Sequence, residues 1–600
     1  MTNGLFFVLK RRRRPPGFIH EFFRLAGPFW RSWPPLVLIG GLTALTIGQV
    51  YLSIRINLWS KDLFDSLEQK SFDRFIILIG MLVIILTGLI VVNATHLLAK
   101  RSLQLRWRQW LTRIILGNWM ADGRHYQINY ISGEHDNPDA RIAEDIRIAT
   151  EVALELAHSL LYCILLLIGF TQILWAVSGW LNLQIAGATI SIPGHMVWIA
   201  LLYASAGSAL AFLLGVPLTR AADHRQTAEA DFRSTLMRAR ENSEAIALLH
   251  GESDERHRLI DAFRNIRDVW FRQTIALSRI LAFSSGYSVL STVFPLLVTA
   301  PRYLAGAITL GVLVQTAQAF LQMVQALSWP VDNLPRVAEW RASVERVLSL
   351  QAALMDVRAR ADLPNHEGIR VTREDARHLV FRDLSIYGPN GEILLGEFNA
   401  TIEPGERILI SGDPAAAIHL FKVVAGLWPW GKGAVELPKD EDIFFMPRRP
   451  YLSYGRLREA VAYSVSPHSF EETELGAALK RVGLEHLIPR LDESGTWERD
   501  LTGGEQQRLG FARLLLQRPK WIFIEEATDA LDPDGEDEMM QLLLDEFPQA
   551  AILTISYHAA VEAYHDRRLS FKRATNGRFP WGDDGLHGRR RKSRGAKSQS

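Results

Sequence analysis

The sequence predicts two fold classes in one chain: an α-helical membrane domain with six transmembrane helices, then an α/β domain on a mainly parallel sheet. Three observations carry this. Six apolar stretches of spanning length occupy the first half. Beyond Trp329 the hydropathy drops, and short β-like runs alternate with helical ones. In that second half, RILISGDPAAAIHLFKVV passes from the strand-like triplet Ile408–Ile410 through Gly412 into a helix-like segment, the layout of a phosphate-binding loop.

The 600 residues predict more than one domain, and 48% hydrophobic with 22% charged suits a chain part in lipid and part in water. The net charge of +2 hides local bias. Basic runs at Lys10–Arg14 and from Gly588 read as solvated tails or as contacts with an anionic cytoplasmic leaflet. The single cysteine, Cys163, lies in an apolar segment, so no intrachain disulfide is possible. A polar tail precedes the first long apolar run, so no cleavable signal peptide is expected.

The apolar stretches run through 35–55, 76–98, 156–178, 196–218, 280–300 and 306–328. The segments 99–155 and 219–275 are Arg-rich, whereas GWLNLQIAGATISIPGH between the third and fourth stretches has no Lys or Arg. By the positive-inside rule, both termini and both long loops are cytoplasmic. Those loops read as helical continuations of the spans. In the first, HDNPDARIAEDIR predicts a break and restart, with Asn137 as N-cap, Pro138 at the first helical position and Asp139 favouring the positive helix end. Glu144, Glu151 and Glu155 share a face entering the third span and read as a proton relay or as a solvated face. Gln315, Gln318, Gln322 and Gln325 form one polar stripe on the sixth span. Amides cannot face lipid cheaply, so the stripe either hydrogen-bonds between helices or lines a hydrophilic translocation path.

The phosphate-loop pattern G-x-x-x-x-G-K-[ST] fails from Gly412 onward. Ala417 replaces the second Gly, Ile418 the Lys and His419 the hydroxyl residue. The loop then comprises Gly412, Asp413, Pro414, Ala415, Ala416, Ala417, Ile418 and His419, and Lys422 lies a turn deeper, facing away from phosphates. Downstream, LTGGEQQRLGFARLLLQRPKWIFIEEATDALD reads as a glycine turn at Gly503–Gly504, a helix through Leu516 and a buried strand ending in Glu525 and Glu526.

That run resembles the ABC-transporter signature, Walker B strand and D-loop in unbroken order. With DNPDARIAEDIR, EADFRSTLMRARENSEAIAL, PLLVTAPRYLAGAITLGVLVQTAQAF, VDNLPRVAEWRASVERV, GLWPWGKG and RPYLSYGRLREAVAY, the chain from about 20 to 573 is similar to the SbmA/BacA-like ABC transporters, relatives of the peroxisomal subfamily-D half-transporters. The resemblance implies an exporter-type membrane domain fused to a nucleotide-binding domain. With the charge and hydropathy pattern, the chain reads as a basic tail over 1–34, the membrane domain over 35–330, a linker over 331–367, the nucleotide-binding domain over 368–573 and a basic disordered tail over 574–600. The resemblance implies a bacterial inner-membrane dimer, homomeric or paired with another half-transporter. Family cargo is polar or amphipathic: peptides, antibiotics, cobalamin. Some relatives lack a nucleotide domain and run on a proton gradient. Membrane lipid is an expected partner and nucleic acid is not.

The resemblance also assigns roles. ATP and Mg²⁺ are the expected cofactors. Glu526 would activate water, and His558 would be the H-loop residue, unless the alignment slips by one to Tyr557. Glu525 replaces the Walker B Asp as metal ligand. Arg448 stands where the Q-loop has Gln. Thr502, Gly503, Gly504 and Glu505 form the signature turn, Asp532 belongs to the D-loop, and Tyr387 would stack on adenine. Asn137, Pro138 and Asp139 would contact the nucleotide domain. Without the Lys and the Mg²⁺-binding hydroxyl, hydrolysis by this chain alone is expected to be absent or very slow. Three readings follow: a transporter with an impaired ATPase, a proton-driven transporter with a vestigial nucleotide domain, or a pseudo-ATPase scaffold completed by a competent partner chain.

Overall fold

A computed structural model of the chain describes residues 17–130, 137–185, 188–361, 368–374, 377–388, 391–439, 442–572 and 581–586. The basic runs at Lys10–Arg14 and from Gly588, and residues 362–367 of the expected linker, lie outside these. The chain divides into two compact units. One comprises Met1–Gly117 and Glu134–Gln351, the other Asn118–Gly133 and Ala352–Ser600.

The first unit is helical, and among the described residues six helices are long and apolar enough to cross a membrane. Each predicted stretch falls on one of them. The helices overrun the apolar stretches because the polar extensions keep a helical pattern, and the sixth continues even through Pro330 and Pro335. Thus Phe72–Met120, His195–Glu241 and Glu252–Leu304 are single helices. The sixth starts at Leu310 rather than 306, because Gly306 adopts a φ of +71° that ends the preceding helix. The apolar windows of the first five helices are only 11–17% buried, against 44% for the sixth. The sixth helix is therefore the packing centre of its unit, and the outer faces are left to lipid or to a partner.

Two boundaries differ from expectation, and one loop gains structure for which no expectation stands. Residues Phe18–Trp30 of the predicted tail form a helix whose Ala26 and Phe29 are buried, with the Phe29 and Trp107 rings stacked 6.1 Å apart. The predicted linker is mostly the last part of the Leu310–Ala361 helix. The loop after the third span is an antiparallel hairpin, Trp180–Ile185 with Ala188–Pro193. The restart at Pro138 exists as the turn Pro138–Ala140, which runs through a π turn at Arg141–Asp145 into Ile146–Ser178. Asn137 does not cap it, since its backbone is left-handed (φ +57°) and its side chain makes no cap hydrogen bond.

The second unit carries two main sheets. The larger runs in the order Trp581–Gly585, Arg567–Phe571, Arg407–Gly412, Ala551–Ile555, Trp521–Glu525, Ile443–Met446. All neighbours are parallel except the first pair. That first strand lies in the predicted disordered tail. It is held because Trp581 packs edge-on against Phe398, centroids 5.1 Å apart. The smaller sheet, Arg370–Glu374, Gly431–Pro438, Leu379–Tyr387, Ile393–Ile402, is largely antiparallel. No crossover helix separates Tyr387 from Ile393, so these strands pair as a hairpin. Leu409, Ile522, Ile524 and Ile552 face a helical layer with Leu475, Leu509 and Met539. Ile408, Ile410, Phe523 and Leu553 face the Pro414–Val424 helix and the smaller sheet. Continuous apolar strands buried on both faces are what a parallel sheet requires.

Candidate functional site

Four adjacent parallel strands end at one edge of the larger sheet. They deliver Gly412–Asp413, Ser556–Tyr557, Glu525–Glu526 and, from the outermost strand, Arg448 to the edge where parallel α/β sheets bind ligands.

The loop after Arg407–Gly412 is too short to make a cradle. Gly412 sits at φ +103°, where a Cβ would collide with the Phe571 carbonyl oxygen. The Asp413 N–H donates to that oxygen at 2.7 Å. The helix Pro414–Val424 then begins at once, with Asp413 as N-cap. Its carboxylate accepts from the N–H groups of Ala415 (2.9 Å) and Ala416 (3.3 Å). Pro414 has no N–H to offer, and the Ala417 N–H is used by the Asp413 carbonyl at 3.2 Å. The donors of this helix end are thus answered by the chain's own oxygens.

Ala416 and Ala417 are buried in the core. His419 points along the helix: Nδ1 lies 2.7 Å from the Ala415 carbonyl, and the ring meets Trp428 edge-on at 4.4 Å. Burial holds its pKa below the usual imidazole range, partly opposed by the Ala415 hydrogen bond, so it supplies no cation. The Lys422 ammonium lies over the rings of Tyr126 (5.6 Å) and Trp428 (5.9 Å). No Lys replaces the missing one at the loop.

At the strand end beside it, burial pushes the Glu525 carboxyl above its usual range. The charge of Lys422 draws it down, and that of Glu526 pushes it further up. Glu526 has a left-handed backbone (φ +44°), and its N–H donates to the Ile555 carbonyl at 2.9 Å. The Arg448 guanidinium reaches both neighbours: Nε is 2.5 Å from Asp529 Oδ2 and Nη1 is 3.4 Å from Glu526 Oε2. Among the described residues, no group of three or more His, Cys, Asp or Glu is placed to hold a metal ion.

The structure brings Tyr557, rather than His558, to the carboxylates. Burial, then the charges of Glu526, Asp413 and Glu525, push the Tyr557 hydroxyl up to about 12, so it stays protonated. His558 turns to the buried Glu536, Nδ1 to Oε1 3.0 Å, and Glu536 also accepts from Thr528 at 2.7 Å. The cause is local. Ser556 Oγ accepts the His558 N–H at 3.2 Å, a turn that points successive side chains in different directions.

The signature turn opens the helix Gly503–Gln517. Thr502 and Glu505 form a reciprocal capping box: the Glu505 carboxylate accepts from the Thr502 N–H and hydroxyl, both at 2.8 Å, and the Thr502 hydroxyl accepts the Glu505 N–H at 3.3 Å. His486 Nε2 lies 2.9 Å from the other carboxylate oxygen. Burial pushes the Glu505 carboxyl up, but the Thr502 hydrogen bonds and His486 outweigh it and hold it below its usual range. Asp532 caps Pro533–Glu546, accepting the Gly535 N–H at 3.2 Å. Tyr387 ends its strand half-buried, with its carbonyl accepting from Trp428 Nε1 at 2.9 Å and its N–H donating to Trp430 at 3.1 Å.

Sequence reasoning missed Gln507. It is buried in the signature helix, and its Nε2 donates to Asp529 Oδ1 (2.5 Å) and the Arg448 carbonyl (3.2 Å), while its Oε1 accepts the Ala530 N–H (2.9 Å). Only its place one turn after Gly503, on the buried face, could have marked it.

Asn137, Pro138 and Asp139 fall in the first unit. The stretch of the first long loop that packs within the second unit is Asn118–Gly133. There Gln127 Nε2 donates to the Gly426 carbonyl at 3.2 Å, and Tyr130 meets Trp428 edge-on at 4.9 Å.

In the first unit the glutamine stripe divides. Gln315 is buried, and its backbone carbonyl, rather than its side-chain amide, accepts from Asn57 at 3.2 Å. Gln318 donates to Ser60 at 3.0 Å and accepts from Asn57 at 3.4 Å. Gln318 thus serves the contact with the first span, where Asn57 and Ser60 lie at helical spacing opposite it. Gln322 is partly buried and Gln325 exposed. Glu155 pairs with Arg336 at 2.6 Å, Glu151 lies 3.7–4.0 Å from Arg101, Arg108 and Arg147, and Glu144 is 3.8 Å from Arg147. These are arginine-neutralised carboxylates of a charged face.

Comparison with known proteins agrees with both halves. Residues 28–304 match the family ABC transporter transmembrane region 2. The chain is 31% identical over 558 residues to the inner membrane ABC transporter ATP-binding protein YddA of Escherichia coli (strain K12), a match covering 90% of this chain and 96% of that protein. It is 27% identical over 625 residues to the chloroplastic ABC transporter D family member 2 of Arabidopsis thaliana, covering 92% and 86%. It is 23% identical over 588 residues to the lysosomal cobalamin transporter ABCD4 of Mus musculus, covering 91% and 93%. With this membrane region fused to this α/β unit along a match of nearly full length, the chain belongs to the ABC transporters, as a half-transporter of the subfamily-D type.

Proposed function

We propose that this protein is an SbmA/BacA-like half-transporter acting as a dimer in the bacterial inner membrane, with both termini cytoplasmic. Its cargo is polar or amphipathic, such as a peptide, an antibiotic or a cobalamin-like molecule, and its nucleotide-binding unit binds and hydrolyses ATP poorly. The compartment is supported by the inner-membrane relative of Escherichia coli, the cobalamin-like option by the lysosomal cobalamin transporter, and the orientation by the arginine-rich loops.

One observation carries the impaired ATPase: the Asp413 carboxylate occupies the N–H groups of Ala415 and Ala416, the donors that a bound phosphate would use. Mg²⁺-bound ATP does not fit the donor set around it. The loop supplies neither ammonium nor hydroxyl, and Asp413 and Glu525 present carboxylates to an incoming anion. At the signature turn, Thr502 is likewise engaged by Glu505.

Titration of the purified protein with a fluorescent ATP analogue is expected to give affinity weaker than about 1 µM, and tighter binding would overturn this reading. Transport in sealed vesicles under ATP alone and under a proton gradient alone then identifies the energy source. Uptake under the gradient only would favour the proton-driven reading, which the internally neutralised site supports. No uptake under either would favour the scaffold.

A further inference from the structure

The strand Ile443–Met446 pairs in parallel with Trp521–Glu525, with Met446 opposite Ile524. Two residues on, that register sets Arg448 opposite Glu526. The chain therefore carries a permanently charged guanidinium beside the expected catalytic carboxylate, in place of an uncharged amide. Arg448 bridges Asp529 and Glu526 at 2.5 and 3.4 Å, and the buried Gln507 fixes the other oxygen of Asp529.

We propose that the Arg448 guanidinium is a tethered replacement for a divalent cation. It offsets one of the two negative charges of Glu526 and Asp529, bridges both carboxylates and ties two strand ends to the signature helix through Gln507, so the α/β unit reaches its packed arrangement with neither magnesium nor nucleotide. The proposal rests on the reading that Mg²⁺-bound ATP does not fit this site. A half-exposed ion pair usually contributes little. Here one guanidinium meets two carboxylates, one of them held by a buried amide, so the geometry does not depend on two free side chains finding each other. Removing the guanidinium leaves two carboxylates with no counter-charge, a set that a hydrated Mg²⁺ or Mn²⁺ takes readily.

The test uses full-length protein in detergent, with Mn²⁺ as probe. The wild type is expected to show no saturable Mn²⁺ site by electron paramagnetic resonance and a melting temperature indifferent to EDTA. R448Q is expected to melt lower in EDTA and to recover part of the loss with Mn²⁺. Its Mn²⁺ affinity should be at least about tenfold above wild type, the effect of withdrawing one positive charge near a divalent ion in a water-like dielectric. D529N in the R448Q background should abolish the recovery. Equal Mn²⁺ binding by wild type and R448Q, or an unchanged melting temperature in R448Q, would overturn the proposal. Should R448Q not fold, R448K decides: a folded, Mn²⁺-excluding R448K supports the substitution of charge, and a Mn²⁺-binding R448K overturns it. Tight binding of the ATP analogue by the wild type would instead overturn the underlying reading of the nucleotide site.

Discussion

At the first turn of the Pro414–Val424 helix, two backbone N–H groups need an acceptor, and Asp413 supplies it from the preceding position. A side chain already in place outcompetes a diffusing anion because it pays no association entropy. Asp413→Ala is expected to lower stability by about 1 kcal/mol, the usual worth of an N-cap. It should also tighten binding of a fluorescent ATP analogue, since it frees two donors and removes a like charge. Melting curves and analogue titration check the two effects, and a stable variant with unchanged affinity would show that the cap is not what excludes phosphate. His565 acts mainly by burial, which outweighs the opposing Val561 hydrogen bond and Asp566 charge. Its Nδ1 lies 2.8 Å from the Val561 carbonyl and its Nε2 2.8 Å from Thr554 Oγ1, and burial lowers its pKa from 6.5 to about 4. The folded pKa is depressed, so the unfolded chain takes up the proton first. Stability is full above pH 6.5 and falls between pH 6.5 and 4, by about 3 kcal/mol in total from this group. Melting against pH should show this fall in the wild type and a shallower one in His565→Gln.

Between elements, polar side chains decide what packs on what. Gln318 satisfies Asn57 and Ser60 across the contact of the first and sixth helices. Gln318→Leu should destabilise that contact by about 1 kcal/mol, the scale of interhelical hydrogen bonds in membranes. Gln325→Leu should leave the melting temperature unchanged, because Gln325 is exposed in this chain. Equal destabilisation by both would contradict the division of the stripe. The contact made by Asn118–Gly133 is testable by cysteine pairs. Gln127→Cys with Gly426→Cys should be bridged by a short bis-maleimide reagent, since the Gln127 side chain that reaches the Gly426 carbonyl spans a gap too long for a disulfide. Capture of Gly426→Cys from Asp139→Cys instead would return the contact to the position that the cap and proline suggested.

For the whole molecule the outstanding choice is between a dimer of identical chains and a pair with a different half-transporter. In the ABC family the phosphate loop of one chain faces the signature turn of the other, so a homodimer would contain two equally altered sites. A competent partner would supply the Lys, the hydroxyl and the catalytic Glu for one working site, leaving only the signature turn to this chain. The Thr502–Glu505 capping box would have to open for Thr502 to meet a phosphate. The expected result on co-expression with candidate relatives is therefore no partner-dependent ATP hydrolysis. Partner-dependent hydrolysis that Gly503→Asp abolishes would establish the heterodimer.

Some of this was written in the linear pattern. Six apolar stretches, arginine-rich loops and a buried strand ending in two glutamates each depend on neighbours in the chain, so helices, spans and the sheet edge could be read directly. The departures at Ala417, Ile418 and His419 were equally visible, because a missing ammonium needs no coordinates. What only the tertiary structure decided was which groups satisfy one another. Asp413 read as one member of a loop, and its capping role depends on how early the helix starts. Arg448 read as a lost glutamine, and its bond to Asp529 depends on the pairing of two strands distant in sequence. His558 and Tyr557 were separated by a turn that Ser556 sets, Gln318 by the rotation of one helix against another, and Trp581 by the packing of its ring on Phe398. Local periodicity fixes the elements; long-range register, rotamer and burial fix the partners of each polar group, and those partners determine the chemistry of the site.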